Sequence, residues 1–392
     1  MKNLICFYDM AVSPCSYDFF TFYYSAENCR IRRNLDGLEL FLVHGPENKF
    51  REDNLRTLEQ NENFFQNVIV PGVSLLGSCN SFSWVSRETL ARMRIRTELT
   101  FPRGYSYSTP RSEYLGVELL GSQIREDSPG YFRAPEYSCK MVEQFLESNG
   151  ISDKYITLTV REIGRDDVNG GRSIKPTVWQ EFISLSAKMG FKTIVVRDTS
   201  CAFKDPLFDG AVECPIASIH LPFRLALYER AHLNFNKNNG PNVLQWFGNC
   251  DSIFFYQMDP EVAAVSPSWF ESRYGMVEGS QFPMTTQNKR LLWEHETTER
   301  LQNIIENKPD YISNLKNLHQ PLGRSNIQAT FKAALNALII NCRFCILEED
   351  RKLFQKLVEI NAKFGLVSEQ KFTNFLINSP IPKQNLISLT AF

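Results

Sequence analysis

Charged side chains capable of chemistry stand directly after short apolar runs of this chain. Arg161 and Glu162 follow YITLTV, and Asp198 closes the run KTIVVRD. The carboxyl ends of parallel strands meet at one edge of a sheet, where open α/β folds bind their ligands. An arginine at such an edge can hold a diphosphate through two parallel hydrogen bonds. Arg161 is therefore a candidate phosphate ligand, and an ion pair with Glu162 or Asp198 is the alternative.

The run NKNNGPN is a second candidate for anion binding. Its candidate substrate-binding residues are Asn238, Asn239, Gly240, Pro241 and Asn242. Glycine permits a ligand to approach the backbone closely, proline suits the start of a helix, and helix N–H groups favour an anion. The alternative is an ordinary strand-turn-helix connection, because Asn-Gly and Gly-Pro are common in turns. Arg172, in the polar loop after YITLTVRE, is a further candidate clamp for phosphate.

Two residues near the start of the chain could act as a general base. Asp9 ends the run NLICFYD, and His44 follows LELFLV. A carboxylate or a histidine at a strand end can take the proton of a hydroxyl nucleophile. The alternatives are that Asp9 caps the following helix and that His44 is a satisfied turn histidine.

Helix-length and strand-length segments alternate around these residues. NLICFYD and LELFLVHGP flank a helical segment, and a helix over 54–67, the apolar run NVIVPGV and an arginine-rich helix over 86–97 continue the pattern. A second series begins near residue 135, with YITLTVRE, KTIVVRD, the short run ASIHL, HLNFN and SIFFYQM separated by helices. Such alternation indicates parallel sheets. From LLWEHETTERLQNIIEN onward the composition is typical of helices.

The predicted fold is therefore α/β, with two tandem Rossmann-like domains and a helical C-terminal tail. The predicted boundaries are 1–135 for the N-terminal Rossmann-like domain, 136–300 for the C-terminal Rossmann-like domain and 301–392 for a helical extension. A length of 392 residues agrees with two domains and an extension.

Composition and charge exclude several classes of protein. Lysines and arginines number 43 against 44 acids, so no overall field favours nucleic acid. The first fifteen residues reach Asp9 before a secretory apolar region is complete, and FKAALNALIINCRFCIL is interrupted by polar residues. We therefore expect a cytoplasmic protein. The arginines of the segment over 86–97 favour a solvated helix face, with contact to an acceptor phosphate or to the inner membrane surface as the alternative.

Signatures of metal and nucleotide hydrolysis are missing from the sequence. It has no HExxH, no DxD at a strand end, no Walker loop and no GxSxG. No metal site and no cofactor are therefore predicted.

Several segments resemble the fucosyltransferase-like branch of the GT-B glycosyltransferases. YITLTVRE is similar to that branch's strand ending in an arginine that binds the nucleotide diphosphate. KTIVVRD, LALYERAHLNFNKNNGPN and TTQNKRLLWEHET are similar to related bacterial surface-polysaccharide proteins. The resemblance covers residues 150–300 best. It implies that the domain over 136–300 binds the nucleotide sugar and that the domain over 1–135 lies on the acceptor side.

This resemblance implies a metal-independent, inverting glycosyltransferase that moves a sugar from a nucleotide-diphosphate donor to a glycan or glycolipid acceptor. Bacterial surface polysaccharide or glycoconjugate synthesis is the implied setting. The alternatives are a sugar-nucleotide epimerase or hydrolase on the same fold, and a noncatalytic glycan-binding protein.

Overall fold

The first half of the chain builds a sheet of four parallel strands in the order β3-β2-β1-β4. The computed structural model describes residues 2–51, 56–93, 99–113, 132–151, 154–162, 174–237, 239–255, 260, 265–274, 276–281, 288–309, 324–343 and 346–390. The strands are β1 Asn3–Asp9, β2 Gly37–Val43, β3 Cys79–Val85 and β4 Thr100–Phe101. The helices are α1 Asp18–Arg32, α2 Leu58–Phe64, α3 Val70–Gly72 and α4 Arg87–Arg92.

The second half builds a sheet of six parallel strands in the order β10-β9-β8-β5-β6-β7. The strands are β5 Tyr155–Thr159, β6 Lys192–Val196, β7 Val212–Glu213, β8 Leu233–Asn236, β9 Ser252–Phe255 and β10 Lys289–Leu292. The helices are α5 Glu136–Ser148, α6 Pro176–Lys188, α7 Pro215–Ile219, α8 Leu221–Arg230, α9 Asn242–Phe247, α10 Pro267–Tyr274 and α11 Thr298–Glu306. Every residue of β5 is buried, as expected for a central strand covered on both faces.

Helices alone make up the described C-terminal region. They are α12 Arg324–Cys342, α13 Glu348–Phe364, α14 Glu369–Ile377 and α15 Lys383–Thr390. Arg103, which follows β4, forms an ion pair with Asp350 of α13 at 2.5 Å between Nη1 and Oδ2. This contact ties the C-terminal helices to the first sheet. None of the helices in the described ranges has the length and apolar character to cross a bilayer.

The predicted α/β fold with two parallel sheets and a helical C-terminal region is confirmed. The first sheet ends with Phe101 and the second begins with Tyr155, while the boundaries at 135 and 300 stay predictions.

The prediction that NVIVPGV continues the strand-helix alternation is wrong, because the run lies in a helical segment. A capping box between Thr57 and Gln60 begins α2, and a π-helical stretch over Phe65–Ile69 leads into α3. Phe65, Ile69 and Val73 are buried at intervals of four residues. That interval places them on one helix face, so the relevant period is that of a helix.

The expectation for the run ASIHL is also wrong, because its residues lie in α7 and at the start of α8. Strands differ from the expectation as well. Leu291 and Leu292 begin the segment predicted to be helical, yet they belong to β10, which pairs in parallel with β9. The strand β3 was not predicted, because Cys79–Val85 lies at the sheet edge and most of its residues are exposed. An edge strand lacks the apolar alternation that marks a covered one.

An aromatic cluster joins the two halves of the molecule. Tyr24 of α1 stacks on Phe247 of α9 with ring centroids 4.2 Å apart, and Phe132 packs edge-on against both rings. The Phe132 N–H donates to the Phe247 carbonyl at 2.9 Å, and the Arg133 N–H donates to the Leu75 carbonyl at 2.9 Å. The segment that follows the first sheet is therefore held between the two halves.

We expect Glu229 to make stability depend on pH. Its Oε2 accepts the Ala134 N–H at 3.2 Å, and burial raises its pKa to about 7. The folded state therefore favours the protonated acid. The contribution of Glu229 to the free energy of unfolding is fully present below about pH 4.5 and is lost as pH rises through 7. Glu229→Gln should lack this decline, which amounts to up to about 3 kcal/mol in the free energy of unfolding.

Urea unfolding at pH 5 and pH 8 measures the effect. Glu147→Gln, at an exposed position of α5, is the control and should keep the wild-type pH dependence. An identical pH dependence in Glu229→Gln and the wild type would contradict the prediction.

Candidate functional site

The carboxyl edge of the second sheet carries a bidentate ion pair that locks two strand ends together. Arg197, after β6, donates to both carboxylate oxygens of Glu162, after β5, at 2.8 and 2.5 Å. The Arg197 side chain is buried, and its Nη1 also donates to the Asp205 carbonyl at 2.7 Å. The hydrogen bonds from Glu162 raise the pKa of Arg197. Both carboxylate oxygens of Glu162 are therefore used in an internal ion pair, whereas the sequence predicted that Glu162 binds substrate.

Asp198 and Arg161 flank this pair. The Glu162 N–H donates to Asp198 Oδ2 at 2.9 Å, so Asp198 fixes the turn after β5. Arg161 is half-buried directly after β5, and the ion-pair partner of Glu162 is Arg197 rather than Arg161. Arg172 lies outside the described residues, so its role as a clamp stays a prediction.

The loop after β8 is shaped by contact with the first half of the chain. A Cβ on Gly240 would lie 2.5 Å from Cδ2 of Tyr17, the residue before α1. The backbone of Gly240 is not in the left-handed region, so the close approach of the tyrosine ring is what requires glycine. The tyrosine ring is thus sufficient to explain why residue 240 is a glycine. The expectation that Gly240 makes room for phosphate stays a prediction.

The backbone amides at the start of α9 are already used. The N–H groups of Asn242, Val243 and Leu244 donate to the carbonyls of residues 239, 240 and 241 at 3.3, 3.4 and 3.1 Å. Pro241 precedes the first residue of α9 rather than occupying it, and Asn242 Nδ2 donates to the Lys237 carbonyl at 2.7 Å. These bonds take the amides that the predicted helix N-terminal anion site needs. Asn238 lies outside the described residues.

Asn239 places a buried amide in the same loop. Its side chain is 7% exposed, and neither Oδ1 nor Nδ2 has a hydrogen-bond partner among the described residues. Burying an amide without partners costs about 1–3 kcal/mol. A bound polar ligand would remove that cost, so Asn239 keeps its place as a candidate binding residue.

A fully buried ion pair, not anticipated from the sequence, supports this loop. Lys237 Nζ lies 2.9 Å from Glu296 Oε2, and both side chains are 0% exposed. The other oxygen of Glu296 accepts the Lys175 N–H at 3.3 Å and the Trp179 indole N–H at 3.4 Å. The pair joins the end of β8 to the segment after β10. Its sequence signal is weak, because the two charges lie far apart in the chain.

Arg224 is the functional candidate that sequence reasoning missed. It lies on α8 and is 3% exposed, and its Nε donates to the Tyr228 hydroxyl at 3.0 Å. Nη1 and Nη2 have no hydrogen-bond partner, and no carboxylate lies within ion-pair distance, among the described residues. The available signal was an arginine inside the apolar helix LPFRLALY.

Electrostatics place Arg224 at the junction of the two halves. Burial raises the pKa of Tyr17, and the nearby positive charge of Arg224 opposes that shift, whereas Asp198 adds to it. Tyr228 also shares a hydrogen bond of 2.7 Å with Thr159, the last residue of β5. Arg224 therefore lies close to the strand ends of the second sheet and to the start of α1, beside the residue that contacts Gly240.

Asp9 is held by several partners in the first half. Its Oδ1 lies 2.9 Å from Arg87 Nη1, and its Oδ2 accepts the Tyr105 hydroxyl at 2.8 Å. The Ala11 N–H donates to Oδ1 at 2.9 Å, and the Asp9 side chain is fully buried. Burial and the charge of Asp9 raise the pKa of Tyr105. An ion-paired carboxylate enclosed in this way fits an anchor for the strand end better than a catalytic base.

Arg87 also connects Asp9 with His44. Its Nη1 lies 3.4 Å from the His44 carbonyl, so the two predicted residues meet at one strand edge. The expected solvated arginine face of this helix is thus wrong for Arg87. Arg94 and Arg96 of the predicted helix lie outside the described residues.

His44 has the properties of a neutral base. It is half-buried, and its ring stacks on Trp84 with centroids 4.4 Å apart. Burial lowers the pKa of His44, while the Asn48 backbone and the charge of Glu88 oppose that shift. A lowered pKa keeps the imidazole uncharged near neutral pH, the form that accepts a proton.

Comparison with known proteins gives distant structural likenesses only. No protein-family profile and no curated sequence matches the chain. A family 9 glycosyl transferase from Veillonella parvula DSM 2008 is 11% identical, with 78% of this chain and 89% of that chain covered and a TM-score of 0.46. The E. coli heptosyltransferase WaaC with ADP is 13% identical over 79% and 99%, with a TM-score of 0.38. The E. coli ADP-heptose lps heptosyltransferase II is 8% identical over 81% and 100%, with a TM-score of 0.41.

Likenesses at this level establish neither a family nor an activity. None of these three proteins is described as a fucosyltransferase, so the resemblance to that branch is not confirmed.

Removing one partner of the buried ion pair should destabilise the protein strongly. Lys237→Met leaves the Glu296 carboxylate buried without its cation, which costs about 3–5 kcal/mol. The double variant Lys237→Met with Glu296→Gln should recover much of that loss, because the amide oxygen still accepts from Lys175 and Trp179. Urea unfolding at pH 7 measures both variants, and a double variant as unstable as the single one would contradict the pairing.

Proposed function

We propose that the chain is a glycosyltransferase that moves a sugar from a nucleotide-diphosphate donor to a glycan or glycolipid acceptor. The setting we propose is bacterial surface polysaccharide or glycoconjugate synthesis, with the reaction in the cytoplasm. The sequence resemblance of residues 150–300 supports a GT-B plan, and the two parallel sheets are compatible with it.

Arg224 is the observation that carries this proposal. A buried guanidinium with two nitrogens left without protein partners is rare, because charged side chains are seldom buried unless paired. Guanidinium groups match phosphate oxygens through parallel hydrogen bonds. The site lies at the carboxyl edge of a parallel sheet, where nucleotides bind in open α/β folds.

The neighbours of Arg224 fit the rest of such a donor. Asn239 offers one hydrogen-bond acceptor and one donor group from a buried position, which suits the hydroxyl groups of a sugar or ribose. Arg161, directly after β5, is a second cation for the diphosphate. The ion pairs of Arg197 with Glu162 and of Lys237 with Glu296 hold the strand ends that position these groups.

The transfer step follows from these charges. The acceptor oxygen forms a bond to the anomeric carbon of the donor sugar, and the bond from that carbon to the phosphate oxygen breaks. The departing diphosphate keeps the bonding electrons, and Arg224 stabilises its charge. The neutral imidazole of His44 takes the proton of the acceptor hydroxyl. Displacement in one step inverts the anomeric centre.

A fixed protein cation can stabilise the leaving group without a metal ion. We therefore propose a metal-independent reaction, whose rate should be unchanged by a chelator. Within the described ranges, no group of three or more His, Cys, Asp or Glu side chains is placed to hold a metal.

Arg224→Gln should weaken donor binding at least tenfold, because charge-assisted hydrogen bonds contribute about 1.5–3 kcal/mol. Calorimetry against GDP, UDP, ADP, CMP and dTDP and their sugars first identifies the nucleotide and then compares the variants. Asn239→Ala should have a smaller effect, since only neutral contacts are removed.

Arg230→Gln is the matched control, because Arg230 lies on the same helix and forms an exposed ion pair with Glu143. This variant should bind the donor as the wild type does. Equal donor affinity in Arg224→Gln and Arg230→Gln would contradict the donor site. Donor binding without transfer to any glycan would instead favour an epimerase, a hydrolase or a binding protein.

His44→Gln should lower kcat by about 10²- to 10⁴-fold and leave the dissociation constant of the donor unchanged. In the wild type, kcat/KM should fall as pH drops through a pKa below 6.5, because the lowered pKa keeps the active neutral form down to that pH. The variant should lose this acid limb. An acid limb that persists in His44→Gln would assign it to another group.

A further inference from the structure

The C-terminal helices form a cavity of about 930 Å³ that takes no part in the donor site. Phe331, Leu335 and Ile339 line it from α12 at intervals of four residues, and Phe372 and Phe375 line it from α14. Cavities of about 300–1,000 Å³ lined mainly by apolar side chains are typical of small-molecule sites. We call this cavity the C-terminal groove.

The charge at the C-terminal groove has one sign. Lys332 and Lys371 line it, and both side chains are exposed. The other polar lining residues are amides and a serine, and none of the described residues that line the groove is acidic. Within the described part of the chain, neither ammonium group has a carboxylate within ion-pair distance. An apolar groove with a cationic rim complements a molecule that has an alkyl chain and an anionic head.

Apolar side chains beside the groove point to a bilayer as the source of that molecule. Ile377, at the end of α14, is 62% exposed, and Phe375 is 45% exposed. Exposed apolar and basic side chains together are the composition of surfaces that lie at a membrane interface.

We propose that the C-terminal groove binds an alkyl chain of an anionic membrane phospholipid, with the headgroup against Lys332 and Lys371. One alkyl chain alone gives marginal, reversible attachment, and basic side chains supply the second contribution. Binding is therefore peripheral, reversible and weakened by salt. The proposal does not depend on the donor site.

Vesicle flotation with the full chain tests the proposal. The wild type should float with vesicles of phosphatidylcholine containing phosphatidylglycerol and should stay unbound with phosphatidylcholine alone. Each lysine near an anionic surface contributes about 1 kcal/mol, so Lys332→Gln with Lys371→Gln should reduce binding about ten- to thirtyfold at low salt. Lys352→Gln with Lys363→Gln, two exposed positions on α13 outside the groove, removes the same charge and should change binding less than twofold.

A groove-filling variant separates chain insertion from surface attraction. Asn374 is an exposed lining residue, so Asn374→Trp should fill the groove without changing the charge and should lower flotation at least fivefold. Its melting temperature and circular dichroism confirm folding. Calorimetry with the nucleotide should give wild-type affinity, so a failure of lipid binding and a failure of the donor site are distinguishable.

Three results would overturn the proposal. Equal losses of flotation in the two double lysine variants would show that binding is a general charge attraction. Unchanged flotation of Asn374→Trp would show that the lipid chain does not enter the C-terminal groove. A wild-type dimer in sedimentation that Asn374→Trp dissociates, without vesicle binding, would assign the groove to a second copy of the chain.

Discussion

The stack of Tyr24 on Phe247 is the contact on which the arrangement of the candidate site depends. Aromatic rings in such pairs contribute about 0.5–1.5 kcal/mol beyond the area they bury. The position of this stack matters more than its energy. Phe247 is the last residue of α9, the short helix that follows the loop over 239–241. Fixing that helix against α1 brings Gly240 to Tyr17 and sets the separation between the two strand edges.

The buried charges that the structure describes near the second sheet fall into two groups, those in ion pairs and one without an ion-pair partner. Glu162 with Arg197 and Lys237 with Glu296 neutralise each other and hold loops in place. Arg224 is left as a cation whose terminal nitrogens have no protein partner among the described residues. A buried pair by itself is weak support for stability, but it fixes geometry well. The two rigid pairs therefore hold the strand ends near Arg224, the cation that we propose for the donor diphosphate together with Arg161.

The sequence predicted the central strands well and the partners of charged residues poorly. β5 and β6 follow from apolar runs with polar ends, because a strand covered on both faces leaves such a run. The prediction for NVIVPGV is wrong because β-branched residues favour strands, although the local capping box of Thr57 and Gln60 indicates a helix there. The helix predicted at Leu291 is wrong because this residue pairs with β9, which lies far from it in the sequence. Local patterns cannot supply such facts.

The same limit applies to the site. Asp9 and His44 were correctly placed at strand ends, but only the three-dimensional structure shows that Arg87 and Tyr105 enclose the carboxylate. Arg224 could not be predicted as a site residue, because helix periodicity alone does not reveal that a charged position faces inward without an acidic partner. The residue type alone suggests a role for a charged side chain. The burial of that side chain and its hydrogen-bond partners then distinguish a structural role from a ligand-binding one.

The contact between Gly240 and Tyr17 couples two positions that lie far apart in the chain. Any side chain at 240 meets the ring at 17, so a larger residue there needs a smaller or displaced one at 17. Homologues should therefore change these two positions together, as compensating pairs. A chimera that takes its first sheet from one homologue and its second from another would have to inherit a matched pair, or the two halves could not close on each other.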